Sequence, residues 1–343
     1  MTMSFSKDIN DTNRDVTRSG EDTDQMVLRD TLMYIRMCFL PIVFAGTVTN
    51  VLNFIVLSNK QMRRLSTSVY LLALTIADIG VMYFELFRVW FEWMNIIQPE
   101  IYFTGPYCKF ANFTNGFFRD YSNWLIACLA VERLVMVASP YRAKAWCTIH
   151  NARLTCTILA AFIAMGHLHC LVFSMPIKGD RWTCWENKEI RHAAAITAVF
   201  EFILGYTVVI VVFLLNIILV LLLYRTQFSC LPGGCRPSDG RLMRHHGRRL
   251  TRTLLLIAFV FLVCETPRII LSVVAKASRR TFFIRVTLNV SYVISGINHA
   301  CNFFIYILSS PRFRTVFFDM VPWCYCCITK STHCDVMIIP THA

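Results

Sequence analysis

The sequence predicts an all-α membrane protein, a bundle of seven transmembrane helices followed by a short amphipathic eighth. Three observations predict it. Of the 343 residues 56% are hydrophobic and only 16% charged, with a mean hydropathy of +0.51; a soluble domain of this length rarely carries so much apolar mass. Seven windows, roughly 33–58, 67–94, 106–138, 149–174, 193–224, 250–275 and 282–308, reach the length of about 20 residues that a bilayer crossing needs. Basic residues gather in alternate connections between those windows, as they do in a multi-pass membrane protein.

The elements follow in order. Residues 1–31 form a polar tail with seven acids and four bases, without the charged-then-apolar pattern of a cleaved leader. Within it Asn10-Asp11-Thr12 is an N-glycosylation acceptor if the tail is extracellular, and a chance triplet otherwise. Asn112-Phe113-Thr114 also matches, but stands at the start of a predicted helix. Residues 32–309 make one membrane domain, since the spans consume most of the chain and no short-period repeat is visible. Residues 310–343 hold the amphipathic helix and a tail. From Ser310 to Phe318 basic and aromatic residues alternate at helical spacing, the pattern of a helix lying on a bilayer surface. Cys324, Cys326 and Cys327 follow it as palmitoylation candidates or free cytosolic thiols.

The formal net charge of +13 invites a nucleic-acid reading, but its distribution argues for a lipid surface. Lys60, Arg63 and Arg64 fall in the first connection, Arg142, Lys144 and Arg153 around the third, and seven arginines with one acid, Asp239, between Arg225 and Arg252. Short Lys/Arg-rich loops stay cytoplasmic, which puts the N-terminus outside and the tail inside, the topology of a plasma-membrane protein. Arg279, Arg280 and Arg285 fall on the outer side, either to meet an anionic partner or tolerated beside the stronger inner bias.

Of the fifteen cysteines most lie in the predicted helices, where a thiol packs as a small apolar group. Cys108 and Cys184 sit in outer connections, where oxidising surroundings favour pairing them; Cys38, well into the first helix, is the less favoured partner. Cys230 and Cys235 have no matching second pair, so a zinc site there has weak support. No His-Glu-x-x-His or Gly-x-Ser-x-Gly is present, and no enzyme chemistry is expected. His167 and His169, two apart on a helix, do not face the same way and make poor joint metal ligands. A transporter would show broken helices or repeated halves; neither is visible in the sequence.

The polar residues inside the spans carry the functional reading. Glu132-Arg133 closes the third span, a costly pair unless it faces the interior or the water boundary. Asp78 is a carboxylate in mid-membrane with no base nearby in its own helix. Such a group needs a partner, a proton or an ion. Glu85, Arg88, Arg119, Asp120, Glu201, Glu265 and Arg268 populate the outer half, and buried charges of both signs are expected to pair. Glu85 and Arg88, three apart, are expected to share a face.

These residues resemble the rhodopsin-like (class A) family of G-protein-coupled receptors. Gly46-Thr-Val-Thr-Asn50, Leu74-Thr-Ile-Ala-Asp78, Glu132-Arg133-Leu134, Phe261-Leu-Val-Cys264-Glu265-Thr266-Pro267 and Asn302-Phe-Phe-Ile-Tyr306 resemble its helix motifs, in order and on the right spans. The departures are a missing fourth-helix tryptophan, Gly205 at the fifth-helix proline, Phe303 at the seventh-helix proline, Leu134 for tyrosine and Glu265 for the toggle tryptophan. Cys264-Glu-Thr-Pro-Arg268 and the proline-free 298–306 stretch look like invertebrate neuropeptide receptors, including FMRFamide-type ones.

The resemblance implies a receptor for an extracellular ligand, a neuropeptide before a non-peptide small molecule, acting on a heterotrimeric G protein. It implies that Arg133 pairs with Glu132 at rest and meets the G protein when the sixth helix swings out, with Asn302 and Tyr306 in the switch. It maps a sodium pocket onto Asp78, Ser122, Asn298 and Asn302, with His299 replacing a serine. That histidine is expected either to pair with Asp78 or to join a neutral polar network. Family geometry places Arg119 against Glu265, leaving Arg268, Arg88, Asn115, Glu85 and Tyr292 to line the ligand cavity. Asn115 stands where aminergic receptors carry an aspartate, and no lysine lies between Phe282 and Leu308 for a retinal Schiff base. Both departures turn the expectation away from amines and retinal.

Overall fold

A computed structural model describes residues 25–94, 104–178, 182–186, 199–228, 240–277 and 281–320. Asn10, the Cys230/Cys235 pair and Cys324, Cys326 and Cys327 lie outside the described residues, as does the side chain of Glu201. The chain is a multi-pass, all-α membrane bundle. Among the described residues six helices are long and apolar enough to cross a bilayer: Gln25–Leu57, Ser66–Glu92, Gly105–Ala138, Ile149–Phe173, Phe202–Arg225 and Thr251–Ala277. The seventh span is Phe282–Ala300 continued by Asn302–Ser309. Arg285, Asn289, Asn298 and His299 dilute its apolar character, and it is held by packing against the sixth and first spans.

Local chemistry sets the ends. Thr104 caps the third span, its Oγ1 accepting from the Tyr107 N–H at 3.4 Å, with Pro106 in the first turn. Thr148 caps the fourth by accepting from Asn151 N–H at 3.2 Å, and Thr281 the seventh by accepting from Ile284 N–H at 3.4 Å. The predicted boundaries hold to a residue or two for the third and fourth spans. Three differ more. The first helix reaches back to Gln25, into the expected tail. The helix of the sixth span starts at Gly240, ahead of its apolar window. The seventh, expected as one span over 282–308, is interrupted at Cys301, although Phe303 stands where the resembling motif carries a proline.

Two spans contain π-helical turns, Met82–Phe87 in the second and Glu201–Tyr206 in the fifth. Such turns rotate every later side chain on the helix and recur at functional sites. The core runs through the bundle from Leu57, Leu74 and Leu125 to Phe261, Tyr306 and Phe313. A second cluster, Phe39, Val43, Met82 and Leu86, fills the other half. Outward faces are apolar, with Phe44, Phe162, Ile210 and Phe259 exposed, as faces turned to a bilayer require. Helices approach closely at glycines: a Cβ on Gly80 would lie 2.2 Å from the Phe118 ring.

Beyond the fourth span, β1 (Ser174–Lys178) pairs antiparallel with β2 (Trp182–Glu186), Cys184 opposite Pro176. Cys108 and Cys184 form a disulfide that ties this hairpin to the start of the third span. Asn112 adds a second tie, its Nδ2 donating to Ser174 Oγ at 3.1 Å. At the opposite end Pro311–Met320 forms the short amphipathic helix, burying Phe313 and Val316. It docks through Arg312 Nη2 donating to the Gln61 carbonyl at 2.8 Å.

Candidate functional site

At the Glu132 end, the second span receives both members of the pair. Glu132 Oε1 accepts from Ser66 Oγ at 2.5 Å and from Thr67 Oγ1 at 3.2 Å. Arg133 Nη2 donates to the same Thr67 Oγ1, and Nη1 lies 3.2 Å from Met136 Sδ. The expected direct Glu132–Arg133 pairing is therefore corrected: the Thr67 hydroxyl bridges them. Successive residues on a helix point away from each other, so a neighbouring helix must mediate. Arg133 is 2% exposed, a full charge lodged at the helix boundary with few partners. In the adjoining connection, burial and the nearby Glu132 push the Cys147 thiol up from its ordinary range, while Arg133 opposes the shift. Tyr306 does not join this end through its hydroxyl. Its ring packs against Phe313 of the amphipathic helix at 5.4 Å.

In mid-bundle, Asp78 of the second span collects residues from two others, the third and the seventh. Its Oδ1 accepts from Ser122 Oγ at 2.7 Å and from His299 Nδ1 at 2.8 Å; its Oδ2 accepts from Asn302 Nδ2 at 2.7 Å. Asn298 is buried in the same region but makes none of these bonds. Of the two alternatives for His299, the pairing with Asp78 is the one present. Asn302, expected in the switch as well, spends its amide here.

Towards the Cys108 end the charges pair, but not as expected. Arg119 Nη1 lies 3.4 Å from Glu85 Oε1, and its Nη2 donates to Asn115 Oδ1 at 2.6 Å. Glu265 is held by Arg268 Nε at 2.7 Å, one turn along the same helix, and accepts from Ser295 Oγ. The expected Arg119–Glu265 bridge is thus corrected. Arg268 at i+3 reaches Glu265 without crossing the bundle, and the π-turn of the second span carries Glu85 to Arg119. The shared face expected for Glu85 and Arg88 is corrected by the same turn. Arg88 instead pairs with Glu92 at 2.9 Å, and Tyr107 donates to that carboxylate at 2.7 Å. Tyr292 packs half-buried beside the Phe39–Met82 cluster.

Sequence reasoning missed Ser66, Thr67, Glu92, Tyr107 and Ser295 as partners. Small hydroxyl residues carry no signal of their own, and Glu92 lies where a helix end permits any charge. It also left Asp120 unpaired; the carboxylate accepts from His167 Nε2 at 3.0 Å, across the third and fourth spans. The π-turns have no proline or other mark to announce them in the second span.

Residues 49–306 match the family described as 7 transmembrane receptor (rhodopsin family). The chain belongs to that family. Among its relatives are neuromedin-U receptor 2 of Mus musculus, 25% identical over 324 residues, 86% of this chain and 78% of the relative. The allatostatin-A receptor of Bombyx mori is 26% identical over 87% of this chain and 81% of its own length. The neuromedin-K receptor of Oryctolagus cuniculus is 23% identical over 79% and 57%. The rhodopsin-family chain is accordingly a receptor and not an enzyme, and the charged groups described above are placed in a receptor's core.

Proposed function

We propose that this receptor binds an extracellular peptide at the Cys108 end and acts on a heterotrimeric G protein at the Glu132 end. It would sit in the plasma membrane with its N-terminus outside, its basic connections and amphipathic helix against the inner leaflet. The observation that carries the reading is the continuity of buried polar side chains through the bundle. Arg268 holds Glu265, His299 stands between Glu265 and Asp78, and Asp78 holds Asn302. A ligand that competes for Arg268 or Arg119 would change the strength of those bonds, and the sixth span, which carries Pro267 inside its helix, is the element placed to respond. Relatives named for neuromedins and allatostatin support a peptide, and charged side chains of both signs towards the Cys108 end suit one better than a lipid.

The test is second-messenger output from cells expressing the chain, challenged with a panel of amidated neuropeptides and small transmitters. A saturable response to one peptide, lost in Arg133→Ala at equal surface expression, is the expected result. A response confined to a non-peptide transmitter would replace the ligand class, and a response undiminished by Arg133→Ala would remove that residue from the switch.

A further inference from the structure

Among the described residues, and beside the Asp120–His167 pair between the third and fourth spans, three acids and three cationic side chains of the buried column match one to one: Glu85 with Arg119, Glu265 with Arg268, Asp78 with His299. The last pair is the most confined, with side chains 0% and 1% exposed. An unneutralised carboxylate at that depth is strongly unfavourable. His299 also lies between two of the acids. Its Nδ1 is 2.8 Å from Asp78 Oδ1, and its Nε2 points to Glu265 Oε1 at 3.7 Å with no hydrogen-bond partner of its own. With the imidazole positive, the six groups sum to zero charge.

That arrangement does not fit a sodium ion at Asp78. A hard cation needs several free oxygens. Ser122, His299 and Asn302 already donate to the carboxylate, which leaves about one of its roughly four acceptor positions. Asn298 directs no bond there, and His299 offers nitrogen where an oxygen ligand would be required. A sodium ion entering would also add a fourth positive charge to three acids, and would meet the imidazole at contact distance.

We propose that His299 is a built-in cation that takes the place of a mobile one, so that this receptor is indifferent to sodium and couples Asp78 to Glu265 through a side chain. The coupling runs directly between the seventh span and the second and sixth, and it does not depend on an ion that can leave.

Thermal unfolding of the full chain in lipid nanodiscs tests this with sodium alone and no agonist, so its outcome is independent of the receptor's ligand. Sodium chloride is compared with N-methylglucamine chloride at about 0.15 M ionic strength. The wild type is expected to give the same Tm in both salts. His299→Ser is expected to gain a sodium-specific rise of about 2–4 °C, the size that sodium at about five times its Kd produces in a larger domain; Asp78→Asn in that background is expected to abolish it. A sodium-specific rise in the wild type would overturn the proposal, as would a folded His299→Ser chain that ignores sodium. Should His299→Ser not fold, His299→Lys keeps the positive charge and is expected to remain indifferent to sodium. A sodium response in the lysine variant would overturn the proposal equally.

Discussion

Glu265 and Arg268 show how a buried residue's value depends on its partner. Glu265 is 0% exposed, so removing Arg268 strands a charge and not merely a bond. Arg268→Ala is expected to lower stability by about 3–5 kcal/mol, read as thermal unfolding of the purified chain. Glu265→Gln added to it is expected to recover most of that loss; no recovery would mean that the arginine acts through packing alone. Arg119 permits a sharper comparison. A double-mutant cycle on Glu85 and Arg119 is expected to give a coupling of about 0.5–3 kcal/mol, and one on Arg119 and Glu265 a smaller value. The reverse order would restore the bridge that residue types alone suggested. At this scale the sequence displayed the right charged residues, because charges inside apolar spans stand out. It could not display their partners, since Glu85 and Arg119 lie on different helices whose rotation no local pattern encodes.

Among the elements, the second span decides most. Its π-turn over Met82–Phe87 begins after Gly80, where the helix presses on Phe118 of the third span. A side chain at Gly80 must displace that ring, which is stacked on Phe84 at 5.2 Å. Gly80→Val is expected to cost about 1–3 kcal/mol by overpacking and to reduce surface expression measured by cell-surface labelling. Gly105, with nothing within 4 Å of its virtual Cβ, serves as the control and is expected to tolerate Ala in the same assay. Equal losses at both positions would show that glycine matters there for the backbone and not for the contact. The helix spans themselves were readable to within a residue or two where a threonine cap marks the start, at Thr104 and Thr148. They were less readable at Gln25, Gly240 and Cys301, where polar residues continue a helix or an apolar run conceals a break.

For the whole molecule, the disulfide and the amphipathic helix close the two ends of the bundle. Cys108–Cys184 spans 76 residues of chain, including the fourth span and the hairpin. Cys108→Ser with Cys184→Ser is expected to lower stability by about 2–4 kcal/mol, seen as a lower Tm that added reductant no longer changes. A double variant as stable as the wild type would show that the Asn112–Ser174 tie and helix packing hold the hairpin without it. At the other end Phe313 packs on both Tyr306 and Phe303. Phe313→Ala is expected to cost about 3–5 kcal/mol, and to detach the end helix in hydrogen exchange of residues 311–320.

That this is a membrane bundle, how many times it crosses, and where costly polar groups interrupt the apolar spans can all be read along the chain. Those properties are local: hydropathy accumulates along about 20 residues, and an ionisable group in such a window is conspicuous wherever the helix sits. Packing of the helices against one another is what sets Thr67 between Glu132 and Arg133, brings Glu85 and not Glu265 to Arg119, and puts His299 on Asp78 across 221 positions of chain. Such contacts depend on helix rotation and register. Two π-turns and the break at Cys301 alter both, at positions that differ little in sequence from the helical residues around them.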